Sequence, residues 1–209
     1  MATISRGRID KRQAILEGAF TVFARLGYAQ ACVQDIADEA GVAKPTVYNH
    51  MADKATLFRN AIEAAAQTAF RERLAALEPL ADPGDDLRAT LEGVADELLR
   101  LHTDERSCAL RRLLYSEIIR FPDVLDIVKE SGPHRLNQAL ADRLARLALA
   151  GRLRADDPDV AAEQFMALII GPLEARSQMG TRATPAAELR DMARAAVDTF
   201  MKAWVTDQS

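Results

Sequence analysis

The chain predicts an all-α protein, and three observations carry that expectation. Apolar residues recur at helical spacing along almost its whole length. No alternating apolar and polar run long enough for a convincing strand interrupts them. A helix-glycine-helix corner stands near the N-terminus, in VQDIADEAGVAKPTVYNHM (Val33 to Met51). The expected organisation is an N-terminal three-helix domain built on a helix-turn-helix (residues 9–69, motif 32–51) and a C-terminal helical bundle (residues 70–209). A length of 209 residues leaves room for one or two domains and a sizeable core.

Taken in order, Arg6, Arg8, Lys11 and Arg12 form a basic arm opposed only by Asp10. A first helix is expected from Ile9 to Leu26, with Ile15, Leu16, Ala19, Phe20, Phe23 and Leu26 as its apolar stripe. Gly27 ends it, and Tyr28 to Ala31 make a short loop. Ile36, Ala37 and Ala40 mark the inner side of the next helix. Gly41 supplies the left-handed conformation that turns the chain. Val42 plugs the corner as a buried residue, and Val47 closes it from the following helix. Cys32 occupies the first N-cap, where sulfur is a weak acceptor. Ala43 offers no cap to the second helix, but Pro45 presets φ in its first turn. Asp53 then caps a longer helix running to about Leu77.

The outward face of the corner's second helix carries the candidate chemistry. Lys44, Thr46, Asn49 and His50 are donors and acceptors of base-edge and phosphate length. The Tyr48 hydroxyl reaches a backbone oxygen, while its ring is expected to pack within the small domain. An ordinary solvated helix more often carries Glu and Lys. A helix-turn-helix lays its second helix in the major groove, so double-stranded DNA is the expected partner. Arg6, Arg8 and Arg12 would then meet phosphates. The alternatives are a helical protein-interaction module and a small enzyme on a helical scaffold.

Charge distribution favours the first of these. The formal net charge is −4, but residues 1–59 carry eight Lys and Arg against six Asp and Glu, and the remainder nineteen against twenty-five. A basic arm suits phosphates, and an acidic body keeps the rest of the chain off them. Cys32 and Cys108 are too few for a disulfide framework, and His50, His102 and His134 are too scattered for a zinc site. No nucleophile-base pair, metal-ligand set or phosphate-cradling loop is evident, so neither enzymatic activity nor a cofactor is expected. No signal-peptide core or membrane-spanning run is present, and a reducing cytoplasm is the expected compartment.

ILEGAFTVFARLGY, VQDIADEAGVAKPTVYNHM and ADKATLF together resemble the DNA-binding domain of the TetR family of one-component bacterial regulators. The chain departs from the family pattern at Cys32, where Thr or Ser is common, and at Met51, where Phe is common. The resemblance implies that Thr46, Tyr48 and His50 touch bases or phosphates and that Gln34 adds a further contact. It implies that Lys54 grips a phosphate together with the N-terminus of its helix; the alternative is a solvated lysine. It also implies a homodimer on a palindromic operator, most often a repressor released by a small-molecule effector. An activator is the alternative within the same class.

Beyond Leu77, PLADPGDD (Pro79 to Asp86) breaks the chain before helical stripes resume. The stripes run through Leu87, Leu91, Val94, Leu98 and Leu101, then Leu110, Leu113, Leu114, Ile118 and Phe121. Further stripes follow from Leu136 to Leu147, from Ala161 to Leu173, and from Leu189 to Trp204. SEIIRFPDVLD (Ser116 to Asp126) resembles one subgroup of the family. The resemblance implies a regulatory bundle that dimerises through its last two long helices and encloses an apolar or aromatic effector. Phe165, Leu168, Leu173, Leu189, Met192, Phe200 and Trp204 form the interface pool, undivided between core and partner. Leu98, His102, Leu114, Glu117, Phe121, Phe165 and Ile169 are the pocket candidates. Glu117 lies inside an apolar face, where a carboxylate needs a partner or a raised pKa. An ion pair with Arg112, Arg120 or Arg135 is expected, with a polar handle in the pocket as the alternative. Gly171-Pro172 is expected to kink its helix.

Overall fold

The computed structural model describes residues 2–177 and 182–204, with side chains at 11–130, 132–177 and 182–204. Every regular element among the described residues is helical. In chain order these are α1 (Ala2–Gln30), α2 (Val33–Glu39), α3 (Lys44–His50), α4 (Lys54–Ala76), α5 (Leu87–Thr103) and α6 (Glu105–Glu117), followed by α7 (Asp123–Ser131), α8 (Pro133–Leu149), α9 (Pro158–Arg176) and α10 (Ala186–Trp204). They form two compact units, one from residues 1–68 with 109–131, the other from 69–108 with 132–209.

The first unit is built around the stripe of α1. Ile15, Leu16, Ala19, Phe20 and Phe23 are buried, and Ile36, Ala37 and Val47 close over them from α2 and α3. Leu57, Phe58, Ala61, Ile62 and Ala65 complete the core from α4. The unit also takes in α7 and most of α6, which contribute Leu110, Leu113, Leu114, Phe121 and Val124. Four rings meet there: Phe58 lies 5.1 Å from Phe23, 5.3 Å from Tyr28 and 4.9 Å from Phe121. Edge-on and tilted ring pairs of this kind add to area burial.

Two local expectations change. The first helix starts at Ala2 rather than Ile9, because the arm contains one possible breaker, Gly7, and a lone glycine costs only about 1 kcal/mol in a helix. Its regular course does end at Gly27, which leaves helical geometry at φ 72° and ψ 166°. The residues after it form a further helical turn to Gln30 instead of an open loop.

The second unit packs α5, α8, α9 and α10 around Leu91, Leu98, Leu140, Leu144, Phe165, Ile169, Val197 and Phe200. Phe165 and Phe200 meet edge-on with centroids 5.0 Å apart. The break at Pro79 is a 3-10 turn, Glu78–Ala81, that buries Leu80. Arg143 holds this turn through Glu78 at 2.6 Å, and Arg152 donates to the carbonyls of Gly84 and Asp85. Helix α9 continues through Pro172 to Arg176.

Candidate nucleic-acid interface

The corner between α2 and α3 is held by a side-chain cap, backbone hydrogen bonds and a buried Val47. At the N-terminus of α2, Cys32 Sγ accepts the amide of Asp35 at 3.4 Å and the Asp35 carboxylate accepts the amide of Cys32 at 3.2 Å. The cysteine therefore caps its helix in a reciprocal box despite its weak acceptor. Hydrogen bonds from the Cys32 side chain and amide hold the Asp35 carboxyl below its ordinary value. Gly41 turns the chain at φ 64°, and Val42 N–H donates back to Ala37 C=O at 2.9 Å. Val42 is half-buried rather than a fully buried plug; Val47 is the buried one, at 1 % exposure.

That burial of Val47 sets the rotation of α3. Lys44, Tyr48 and Asn49 are exposed, and Thr46 and His50 are half-buried on its flanks. Tyr48 differs from expectation: its side chain is 52 % exposed. The inward position of α3 is taken by Val47, at 1 % exposure, and Met51 is buried just after the helix at 4 %. Gln34 is exposed on α2, where its amide donates to Asp38 at 2.8 Å. Arg12 is exposed on α1. The side chains of Arg6 and Arg8 lie outside the described residues.

Asp53 caps α4 as expected, accepting Thr56 N–H at 2.7 Å, and that bond holds its carboxyl below the ordinary range. Lys54 is half-buried. Its ammonium donates to Ala29 C=O at 3.3 Å and stands 4.5 Å from the centroid of the Tyr28 ring.

The pocket candidates divide between the units. Leu98, Phe165 and Ile169 are core residues of the second unit, and His102 is half-buried in the last turn of α5. Leu114, Glu117 and Phe121 belong to the first unit. Leu114 lines a small cavity of about 130 Å³ there, with Arg111, Tyr115, Ile118, Val124 and Leu125. Of the three arginines expected to pair with Glu117, Arg120 stands 3.8 Å from it, and Arg135 lies over Phe70 instead. The other Glu117 oxygen accepts the backbone N–H of Tyr28 at 3.2 Å. Nothing in the sequence signals that bond, because 89 residues separate its partners.

The interface pool also resolves. Phe165, Leu173, Leu189, Met192 and Phe200 are at most 5 % exposed within the single chain. These five lie in the core of the second unit. Leu168 and Trp204 retain surface, and Trp204 Nε1 donates to Gln164 at 3.1 Å. Among the described residues, no group of three or more His, Cys, Asp or Glu could hold a metal ion. No helix among them is long and apolar enough to cross a membrane.

A helix-turn-helix head with an exposed, polar second helix, followed in the chain by a helical bundle, is the architecture of a DNA-binding transcriptional regulator. Comparison with known proteins gives the family. Residues 15–61 match the N-terminal domain of bacterial regulatory proteins of the tetR family. Residues 89–206, more than half of the chain, match the C-terminal domain of AefR-like transcriptional repressors. The chain belongs to the TetR family of transcriptional regulators. It is 28 % identical over 81 % of its length to the HTH-type transcriptional repressor Rv1474c of Mycobacterium tuberculosis, covering 83 % of that protein. It is 29 % identical to the HTH-type transcriptional activator FasR of Mycolicibacterium smegmatis, a match spanning 58 % of this chain and 53 % of that relative, about half its length. A TetR-family regulator of Mesorhizobium loti superposes with a TM-score of 0.88 at 26 % identity, covering 95 % of this chain and 98 % of the other.

Proposed function

We propose that this regulator acts as a homodimeric repressor on a two-fold symmetric operator and is released by a small-molecule effector. The observation that carries the DNA half is the rotation of α3. Burial of Val47 leaves Lys44, Tyr48 and Asn49 on one outward surface, flanked by Thr46 and His50. A symmetric pair of such helices would enter successive major grooves about 34–36 Å apart. Lys54 and Arg12 would contact phosphates, which position the protein without reading sequence.

Support for dimerisation comes from α9, which is apolar on more than its buried side. Val160 is 38 % exposed, and Leu168 and Ile170 are half-buried in the lone chain. The name of the mycobacterial repressor favours repression, and that of the FasR activator keeps activation as the second reading. Effector binding in the helical bundle would favour a conformer whose reading helices no longer fit the operator. Such a switch requires different effector affinities for the two conformers. The cytoplasm is the compartment this role requires.

Selection of duplexes from a random pool by the purified protein tests the reading. The expected product is an inverted repeat, bound by a species that sediments as a dimer or a pair of dimers. Recovery of no sequence preference would exclude operator recognition, and a monomer on DNA would exclude the symmetric mode.

A further inference from the structure

We infer that Glu117 is a positioning residue for DNA binding and acts through Lys54, an inference that rests on Lys54 being a phosphate contact. Both side chains converge on one turn of the first unit, Gly27 to Ala29. Gly27 leaves helical geometry there, in a left-handed region that other residues enter at a cost. The Tyr28 amide that follows is held by Glu117 Oε1 at 3.2 Å. The carboxylate is packed against the turn, since a Cβ on Gly27 would lie 3.9 Å from the same oxygen. Glu117 is 9 % exposed, and Arg120 offsets its charge from 3.8 Å.

Lys54 is seated on that same turn. Its ammonium donates to Ala29 C=O and stands over the Tyr28 ring. An ammonium has three donors, so the bond to Ala29 leaves others for a phosphate oxygen. Holding the lysine in place before DNA arrives lowers the ordering cost of the contact. The order of support is therefore Glu117 to the Tyr28 amide, then the Tyr28 ring and Ala29 carbonyl to Lys54. A residue of α6 thereby serves a cation at the start of α4.

The test is a double-mutant cycle on the full chain with a duplex recovered by random-pool selection. Glu117→Met keeps length without an acceptor, and Glu117→Gln keeps the acceptor oxygen. Glu117→Asp, one methylene short of the turn, serves if the methionine variant does not fold. Binding is titrated across NaCl concentrations, with thermal midpoints and Tyr28 amide exchange measured alongside. Glu117→Met is expected to weaken binding about three- to tenfold, and to change it less than about twofold in a Lys54→Ala background. Glu117→Gln is expected to restore affinity and Tyr28 amide protection. Equal losses with and without Lys54 would overturn the inference and leave Glu117 a general stabiliser of the head. Unchanged affinity in Glu117→Met would overturn it as well. If Lys54→Ala alone leaves affinity and salt slope unchanged, the phosphate contact itself fails, and the inference fails with it.

Discussion

Arg59 and Asp123, 64 residues apart in sequence, form a two-point ion pair: Nε to Oδ2 at 2.5 Å and Nη2 to Oδ1 at 3.4 Å. The pair ties α4 to the first residue of α7, beside Phe121, whose ring centroid lies 5.0 Å from the guanidinium. Carboxylate and guanidinium support one another through the hydrogen bond, so the Asp123 carboxyl sits below its ordinary range and Arg59 above. Because both partners are well exposed, salt should screen the pair. Arg59→Ala and Asp123→Ala should each lower the thermal midpoint slightly at low salt, and the double mutant no further. The coupling should largely vanish in 1 M NaCl, about ten times the ionic strength at which the screening length is 10 Å. Additive losses at low salt would show that the pair does not couple α4 to α7.

Acid should loosen the same unit. Asp35, Asp53 and Asp123 all titrate below their ordinary 3.8 in the folded chain. A carboxyl with a depressed folded pKa adds stability that is fully present above its unfolded value and is lost as pH falls through the folded value. The thermal midpoint should therefore decline from about pH 5 towards pH 2, and an Asp35→Asn, Asp53→Asn, Asp123→Asn triple variant should decline less. Parallel pH profiles would remove these three groups as the cause.

Gly18 is a close approach between α1 and the end of α2. A Cβ there would stand 3.0 Å from Ala40 N and 3.1 Å from Ala40 Cβ. Ala40 must give by a few tenths of an ångström to admit it, and Gly18→Ala is expected to destabilise by about 1–3 kcal/mol despite alanine's better helix propensity. Denaturant unfolding measures this directly. A more stable variant would mean that α2 yields without cost.

Tyr48 separates stability from recognition. With its side chain half exposed, Tyr48→Ala should change unfolding free energy by no more than about 0.5 kcal/mol. Binding to the selected operator should nevertheless weaken, by about 1–3 kcal/mol if the ring or hydroxyl meets a base or phosphate. Titration of operator and unfolding of the free protein, run on one preparation, separate the two effects. Full affinity would take Tyr48 off the contact surface.

What could be read in advance follows the range of the interactions concerned. The α2–α3 corner depends on neighbours within about one turn: Cys32 with Asp35, Gly41 with Asp38, Val42 with Ala37. The outward set on α3 follows from the helical repeat once Val47 is placed inside. The Tyr48 ring departs from the inward position expected of it, because a ring's side of a short helix depends on what else fills the interior. The apolar stripes of α9 and α10 are legible as stripes, and the structure places Phe165, Leu173, Leu189, Met192 and Phe200 of that pool in the core. Periodicity marks an apolar side without saying whether it meets the same chain or another.

Local chemistry in the sequence thus determined the helical class, the corner, the caps at Cys32 and Asp53 and the identity of the exposed polar side chains. Tertiary structure alone decided that α7 and most of α6 belong to the first unit, that Glu117 holds the Tyr28 amide, and that Asp123 meets Arg59. These relationships join residues 64 and 89 positions apart. Their partners are chosen by which surfaces remain to be buried after the local helices have formed, and no pattern within a single helix encodes that choice.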